Sequence, residues 1–204
     1  MRAPTRRDGA ERREAILDAA LKCFARRGVL DTGIEDIRKA ARTSPSSIYH
    51  QFDGLPSIAL ALLMRTFERL FAHLARRVVG TRDARACVLA LVDAHLEWVL
   101  RNEDEARVMY QLMSTGLAAR HERALARHKE LHLAPVAAHV GTFIRSGALP
   151  SWPPLLLDVV LLGPTHEACR RYLVGAPIDP EWMRSTLPTL AWRSISGALP
   201  LSAE

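Results

Sequence analysis

The chain has few cysteines and no long hydrophobic run. Its three cysteines, Cys23, Cys87 and Cys169, are far apart and odd in number, which argues against a disulfide framework. The densest apolar run, residues 155–162, is short and contains Asp158, so we expect no membrane-spanning helix. The first residues carry charges without an apolar stretch behind them, which is not the pattern of a secretory signal. We therefore expect a cytoplasmic protein with reduced thiols.

Motifs of common enzyme classes are absent as well. The sequence has no G-x-S-x-G elbow, no phosphate-binding glycine loop, no Cys-x-x-Cys pair and no His-Glu-x-x-His motif. The dipeptide His166–Glu167 is followed by Arg170, where a zinc protease would need a second histidine. We therefore expect no enzyme and no cofactor.

Positive charge is concentrated near the N-terminus. Residues 1–52 carry 11 Lys and Arg against 7 Asp and Glu, whereas the rest of the chain carries 17 against 15. Two thirds of the net charge of +6 thus lies in the first quarter of the chain. Such clustering is typical of a partner with a phosphate backbone. The alternative is a solvated charged tail formed by Arg2, Arg6, Arg7, Arg12 and Arg13.

Apolar residues recur at helical spacing in almost every segment, so we predict an all-α fold. A first helix should start near Gly9 or Ala10 and end at Gly28. A second should begin either with a capping box at Thr32 and Glu35 or, more weakly, with Gly33 and Asp36. Ser44 as N-cap and Pro45 at the first position predict a short third helix, and Ile48, Tyr49 and Phe52 should dock it on the first two.

The rest of the chain also has helical periodicity. A long fourth helix should follow Pro56, and Pro135 should kink or split the periodic stretch 120–145. Residues 147–154 should form a loop. The first half of a helix over 155–173 is apolar nearly all round and should be buried on more than one side. A last helix should start at Asp179–Pro180–Glu181 and bend at Pro188.

The N-terminal part, about Arg12–Leu63, resembles TetR-type (TetR/AcrR) bacterial transcriptional regulators. Weaker signals follow in residues 162–164 and 170–175. The residues that carry the resemblance agree in order and spacing with the family pattern; they are Ala20, Phe24, Gly28, Thr32, Asp36–Ile37, Ala41, Ser44, Ile48–Tyr49 and Phe52.

The resemblance implies a helix-turn-helix DNA-binding domain over 1–55, with the motif at about 33–52. It also implies a helical ligand-binding and dimerisation domain over 56–204. The implied function is a DNA-binding regulator, in the commoner mode of the family a repressor, which binds a pseudo-palindromic operator as a homodimer and responds to a small molecule.

Three positions depart from the family pattern. Arg42 replaces a glycine in the turn, Arg38 replaces an alanine, and Leu55 replaces a lysine that typically contacts phosphate. A non-glycine residue held at positive φ costs on the order of 1 kcal/mol, so either the turn is altered or Arg42 serves to bind phosphate. Arg38, Lys39 or Arg42 would then replace the missing lysine.

In such a motif the short third helix enters the major groove by its N-terminal end. Ser46, Ser47 and His50 are expected at base edges, Ser and Tyr hydroxyls mainly at phosphates, and Pro45 against a thymine methyl group. Tyr49 as a core residue and Ser44 as a cap alone are the alternatives. The full predicted DNA-binding set is Thr32, Gly33, Arg38, Arg42, Thr43, Ser44, Pro45, Ser46, Ser47, Tyr49 and His50.

The resemblance places the dimer interface on the last two long helices, here Leu155–Val174 and Glu181–Gly197. Their dense apolar faces fit that role, with a purely intramolecular core as the alternative. The residues expected at the interface are Leu156, Val160, Gly163, Trp182, Leu190 and Trp192. A pocket for an apolar or amphipathic ligand would be lined by His95, Trp98, Met109, Met113, Phe143 and His166, each of which could equally be ordinary core.

A metal-responsive regulator of the same fold is a further alternative. The offsets of His121, His128, His132 and His139 place all four within about 20° of one line on a helix. His128 and His132, at i and i+4, could share zinc. Against this, Pro135 interrupts the line, no carboxylate or cysteine in the pattern completes it, and the adjoining Arg127 and Lys129 would repel a cation. A helical interaction module that does not bind DNA is the remaining alternative.

Overall fold

The computed structural model describes residues 6–197, which form helices joined by turns and loops and contain no strand. The predicted all-α class is confirmed. Arg2 lies outside the described residues, and only the backbone is described for Arg6 and Arg7. The helices are α1 (Arg6–Arg27), α2 (Ile34–Ala40), α3 (Pro45–Gln51), α4 (Leu55–Val78), α5 (Ala84–Arg101), α6 (Glu103–Met113), α7 (Gly116–Arg120), α8 (Glu122–Arg145), α9 (Pro154–Leu173) and α10 (Pro180–Ser196).

The chain divides into two compact units. The first unit comprises the described residues up to Phe67 together with Asp104–Arg127. The second unit comprises Glu68–Glu103 and the described residues from His128 onward. The helices α4 and α8 each continue from one unit into the other. The predicted division into segments 1–55 and 56–204 stays a prediction.

The first unit has its core where α1, α2 and α3 meet. Phe24 of α1, Ile37 of α2 and Ile48 of α3 are all buried, as their helical spacing predicts. Arg65 on α4 donates through Nη1 to Glu14 at 2.8 Å and to Asp18 at 2.9 Å, which ties α4 to α1. The helix α1 begins at Arg6, ahead of the predicted start, because the strong helix formers around Gly9 outweigh its cost of about 1 kcal/mol.

The second unit is built mainly from α5, α9 and α10, which pack on one another. Leu96 of α5, Cys169 of α9, and Met183 and Ile195 of α10 are completely buried there. The predicted loop before α9 and both C-terminal helices lie within one or two residues of their expected positions. No helix of residues 6–197 is both long enough and apolar enough to cross a bilayer.

Two expectations about these helices need correction. The helix α8 runs through Pro135 without interruption, so a split there is wrong, while a kink at Pro135 stays a prediction. Proline lacks the N–H that would bond the carbonyl of Leu131, but both residues are exposed and water can replace that bond. The first half of α9 is not buried on several sides, because Leu155, Leu156 and Val159 are all at least half exposed.

Candidate nucleic-acid interface

The start of α2 is built by Gly33 and Asp36. Gly33 is the N-cap, and its N–H donates to Asp36 Oδ2 at 3.0 Å. That backbone hydrogen bond, helped by Arg27, holds the pKa of Asp36 below its usual range. The expected box between Thr32 and Glu35 is wrong. Thr32 is only 3% exposed, and its hydroxyl donates to the carbonyl of Gly28 at 2.8 Å, so its side chain supports the preceding turn and offers almost no surface for the predicted DNA contact.

The turn between α2 and α3 is a Schellman motif. The Arg42 N–H donates to Lys39 O and the Thr43 N–H donates to Arg38 O, each at 3.2 Å. In this motif the residue after the C-cap takes the left-handed conformation that glycine prefers. Arg42 occupies that position with φ of 51° and is the one non-glycine residue at positive φ within residues 6–197. The tight turn is therefore kept, and Arg42 carries the strain of about 1 kcal/mol.

The two arginines near this turn have different surroundings. Arg38 Nε donates to Glu35 at 2.8 Å and Arg38 Nη1 to the Thr43 carbonyl at 3.4 Å, so its guanidinium is engaged in holding the turn. Arg42 is exposed. Leu55, where the family pattern has lysine, lies half-buried at the start of α4. Of the two arginines, Arg42 is the better placed to replace that lysine.

The start of α3 matches the predicted cap. Ser44 Oγ accepts from the Ser47 N–H at 3.2 Å, and Pro45 follows at the first helical position. The hydroxyls of Ser46 and Ser47 each lie 3.0 Å from Ser44 Oγ. The three serines thus form one connected group at the beginning of the helix.

The two faces of α3 differ sharply in burial. Ile48 and the C-cap residue Phe52 are buried, which fixes the helix on the core of the first unit. Pro45, Ser46, Tyr49 and His50 are exposed. Their positions (i, i+1, i+4 and i+5) put them on one face. Tyr49 is 61% exposed, so the expectation that it docks α3 as a core residue is wrong.

Arg13 supports α3 from α1, a role that the sequence analysis missed. Its Nη1 donates to the carbonyl of Gln51 at 3.1 Å, and its guanidinium carbon lies 4.3 Å from the centre of the Phe52 ring. A cation near the last carbonyls of a helix also interacts favourably with the helix dipole. Helical spacing could have indicated this role, because Arg13 lies three and four residues before the buried Ile16 and Leu17 and therefore on the same side of α1.

A groove of about 410 Å³ lies between α1 and the turn after α2. Arg12 and Arg42 both line it, so two guanidinium groups border one concave surface beside α3. Glu11, Ala15, Ile16, Ala41 and Thr43 complete the lining.

The residues predicted to line a ligand pocket fall in both units. In the second unit, His95 and His166 meet with ring centroids 4.8 Å apart, Trp98 is buried and Phe143 is half-buried. Burial, with a smaller contribution from His166, lowers the pKa of His95 to about 3, and burial also lowers the pKa of His166. Met109 is buried in the first unit, whereas Met113 is exposed there and does not fit an enclosed lining.

The predicted line of four histidines is wrong for His121, which caps the end of α7 and precedes α8. His139 shares α8 with His128 and His132, but its Nε2 lies 2.8 Å from the hydroxyl of Thr81. His128 and His132 do lie together on α8, and a carboxylate from a different helix, Glu68 of α4, joins them.

The residues predicted for a dimer interface are accessible in the single chain. Leu156, Trp182 and Leu190 are about half exposed, and Val160, Gly163 and Trp192 are partly buried. Among the described residues, a Cβ atom at position 163 would meet nothing within 4 Å. Within residues 6–197, Gly163 therefore marks no close helix contact, and its role against a second copy stays a prediction.

Comparisons with known proteins agree with this geometry. Residues 16–61 match the family described as bacterial regulatory proteins, tetR family. The chain is 36% identical over 86 residues to the HTH-type transcriptional repressor KstR2 of Rhodococcus jostii, and the match spans 42% of either protein. The chain thus covers less than half of that relative's length.

Solved structures resemble the chain over nearly its whole length. A TetR family transcription regulator from Marinobacter aquaeolei aligns with a TM-score of 0.77 at 20% identity, covering 94% of this chain and 98% of that one. The transcriptional regulator FadR from Bacillus subtilis, solved with stearoyl-CoA, aligns with a TM-score of 0.73 at 16% identity, covering 90% and 98%. At these identities the likeness is one of fold.

Proposed function

Because this chain belongs to the TetR family of bacterial regulatory proteins, we propose that it is a sequence-specific DNA-binding transcriptional repressor. The observation that carries the proposal is the two-sided burial of α3. Ile48 and Phe52 fix the helix on the core, while Pro45, Ser46, Tyr49 and His50 stand on its free face. A short helix held in this way can enter the major groove.

The side chains of that face suggest a division of roles. Ser46 and His50 bear donors and acceptors suited to base edges, whereas the Tyr49 hydroxyl and the Arg42 guanidinium suit phosphate oxygens. Ser44 has its hydroxyl committed to the cap, so its contribution is to hold the first turn of α3. Strain retained at Arg42 fits a residue kept for binding, because glycine would relieve it.

We propose that two copies bind one pseudo-palindromic operator. A single α3 can contact only a few base pairs, so useful specificity needs a second half-site. The exposed apolar residues of α9 and α10, among them Leu156, Trp182 and Leu190, form a surface that a second copy would cover. The partner helices would meet near Gly163, where the chain leaves open space.

We further propose that a small apolar or amphipathic ligand releases the protein from DNA. His95, Trp98, Phe143 and His166 of the second unit combine apolar bulk with a few polar tips, as ligand sites do. FadR, which shares the fold, was solved with the amphipathic stearoyl-CoA. Release requires two conformations of the dimer, one that fits the operator and one that does not, and the ligand must bind the second more tightly than the first. Catalysis has no part in this scheme.

The proposal is tested by fluorescence anisotropy on duplex DNA from the region upstream of the protein's own gene. We expect saturable binding whose constant falls steeply with salt, since each neutralised phosphate releases counterions. The double variant Ser46→Ala/His50→Ala serves as the control for sequence readout. Binding that is absent at low ionic strength, with the helix content intact by circular dichroism, would refute the function.

A further inference from the structure

Three side chains of types that can ligate a metal lie close together in the second unit. Glu68 lies on α4, and His128 and His132 lie one turn apart on α8. Glu68 Oε1 is 3.6 Å from His128 Nε2 and 3.5 Å from His132 Nε2. One ligand atom from each residue falls within 4.8 Å of the others.

The two separations from Glu68 Oε1 are close to those around a common central ion. Four ligands at about 2.0–2.1 Å from a tetrahedral zinc ion are about 3.3–3.4 Å apart along the edges of the tetrahedron. The two imidazole rings are tilted by 46° with centroids 4.4 Å apart, so they do not stack flat on each other. Small side-chain rotations would bring three ligand atoms onto one centre.

We propose that Glu68, His128 and His132 form a binding site for a divalent transition-metal ion of the zinc class. Two imidazoles with one carboxylate match the three-ligand set that zinc takes when its fourth position is open to water. The nitrogen pair disfavours magnesium and calcium, which prefer oxygen, and the lack of a thiolate disfavours soft ions. The bound ion links α4 to α8.

The site is accessible to an ion from solvent. The side chains of Glu68 and His132 are 47% and 32% exposed, whereas His128 is 14% exposed and forms the inner ligand. Access at Glu68 and His132 leaves room for water as the fourth ligand. The helix α8 is continuous through Pro135, so His128 and His132 keep the one-turn spacing that lets both face Glu68.

Neighbouring cations do not prevent binding. Arg127 is exposed, where water and salt screen its charge. Lys129 is half-buried and interacts electrostatically with Asp158, whose negative charge partly offsets its own. The bound ion would take the place of the direct contacts between Glu68 and the two histidines.

The test is calorimetric titration of ZnCl₂ into the untagged full-length protein after removal of metals with EDTA, in the absence of DNA. We expect one saturable site per chain. Removing a residue that only hydrogen-bonds to a metal ligand typically weakens metal binding 10–100-fold, and removing a ligand itself should have at least that effect. We therefore expect His128→Ala, His132→Ala and Glu68→Gln each to weaken zinc binding by about tenfold or more. His121→Ala is the control, because His121 lies outside the cluster, and should bind as the unaltered chain does.

A thermal melt with and without zinc checks the same site without relying on heats of binding. Zinc should raise the Tm of the unaltered chain and of His121→Ala, because an ion that binds the folded state stabilises it by mass action. The double variant His128→Ala/His132→Ala should show no such rise. Equal zinc binding in that double variant, or no saturable binding by the unaltered chain, would overturn the proposal. Since DNA plays no part, neither result bears on the regulator function.

Discussion

The guanidinium of Arg13 lies 4.3 Å from the centre of the Phe52 ring and donates to the carbonyl of Gln51. One residue of α1 thus fixes the end of α3. Replacing it with alanine should lower the free energy of unfolding by about 2 kcal/mol or more, the sum of a cation–π contact and a charged hydrogen bond. Urea denaturation would measure the loss. The exposed Arg12→Ala is the matched control, and an equal effect of the two variants would contradict this role.

Replacing Arg42 with glycine should have opposite effects on stability and on DNA binding. Arg42→Gly should raise the free energy of unfolding by up to about 1 kcal/mol, because glycine accepts the left-handed conformation without strain. The same change should weaken binding to every duplex, because a phosphate contact is lost. Arg42→Lys, which keeps the charge and the strain, should change neither property much. Stability unchanged or lowered in Arg42→Gly would argue against the strain.

Tyr49 and His50 should affect different components of DNA recognition. Tyr49→Ala should weaken binding to cognate and scrambled duplexes equally, whereas His50→Ala should weaken cognate binding selectively, by about 1 kcal/mol or more. Anisotropy titrations of both duplexes give the two constants for each variant. A selective loss with Tyr49→Ala would reverse the proposed assignment.

The exposed apolar surface of α9 and α10 predicts a dimer. Light scattering on the unaltered protein at micromolar concentration should give twice the chain mass of 22.7 kDa. Leu156→Glu and Trp182→Glu should shift the protein toward the monomer, because a buried unpaired carboxylate is strongly unfavourable. Leu30→Glu, an exposed leucine outside this surface, should remain dimeric. A monomeric unaltered protein would end the dimer proposal.

The buried His95 should make stability depend on pH. Its pKa is about 3 in the folded chain against 6.5 as the ordinary value, so below pH 6.5 the unfolded chain binds the extra proton. Stability should fall as the pH drops from 6.5 to 5, with a slope that approaches about 1.4 kcal/mol per pH unit near pH 5, and His166 acts in the same direction. His95→Gln should flatten this slope in urea denaturation, and an unchanged slope would show that His95 does not titrate as described.

Helical periodicity and capping signals predicted most elements from sequence, because both depend on residues close together in the chain. Ser44–Pro45 marks the start of α3, and Gly28 the end of α1, through local hydrogen bonds. The sequence pattern also located α3, the helix for which we propose DNA recognition. The pattern could not identify the N-cap of α2, because both Thr32 and Gly33 fit a cap locally. Only the burial of Thr32 against α1 shows that Gly33 is the cap.

The other errors involve contacts between helices distant in sequence. Glu68 is sixty residues from His128 in the chain, so no spacing rule connects them. Arg13 meets Phe52 through the packing of α1 on α3. The apolar first half of α9 indicated burial within the chain. Composition alone does not distinguish a helix face that packs against its own chain from one that packs against a second copy.

Selection of duplexes from a random pool by the purified full-length protein tests the central proposal most directly. If the exposed face of α3 reads bases in two copies, the retained duplexes should share a pseudo-palindrome with half-sites about one helical turn apart. The variant Ser46→Ala/His50→Ala should lose that preference while retaining salt-sensitive binding. A folded protein that retains no duplex at low ionic strength, or enriches no sequence, would contradict the account.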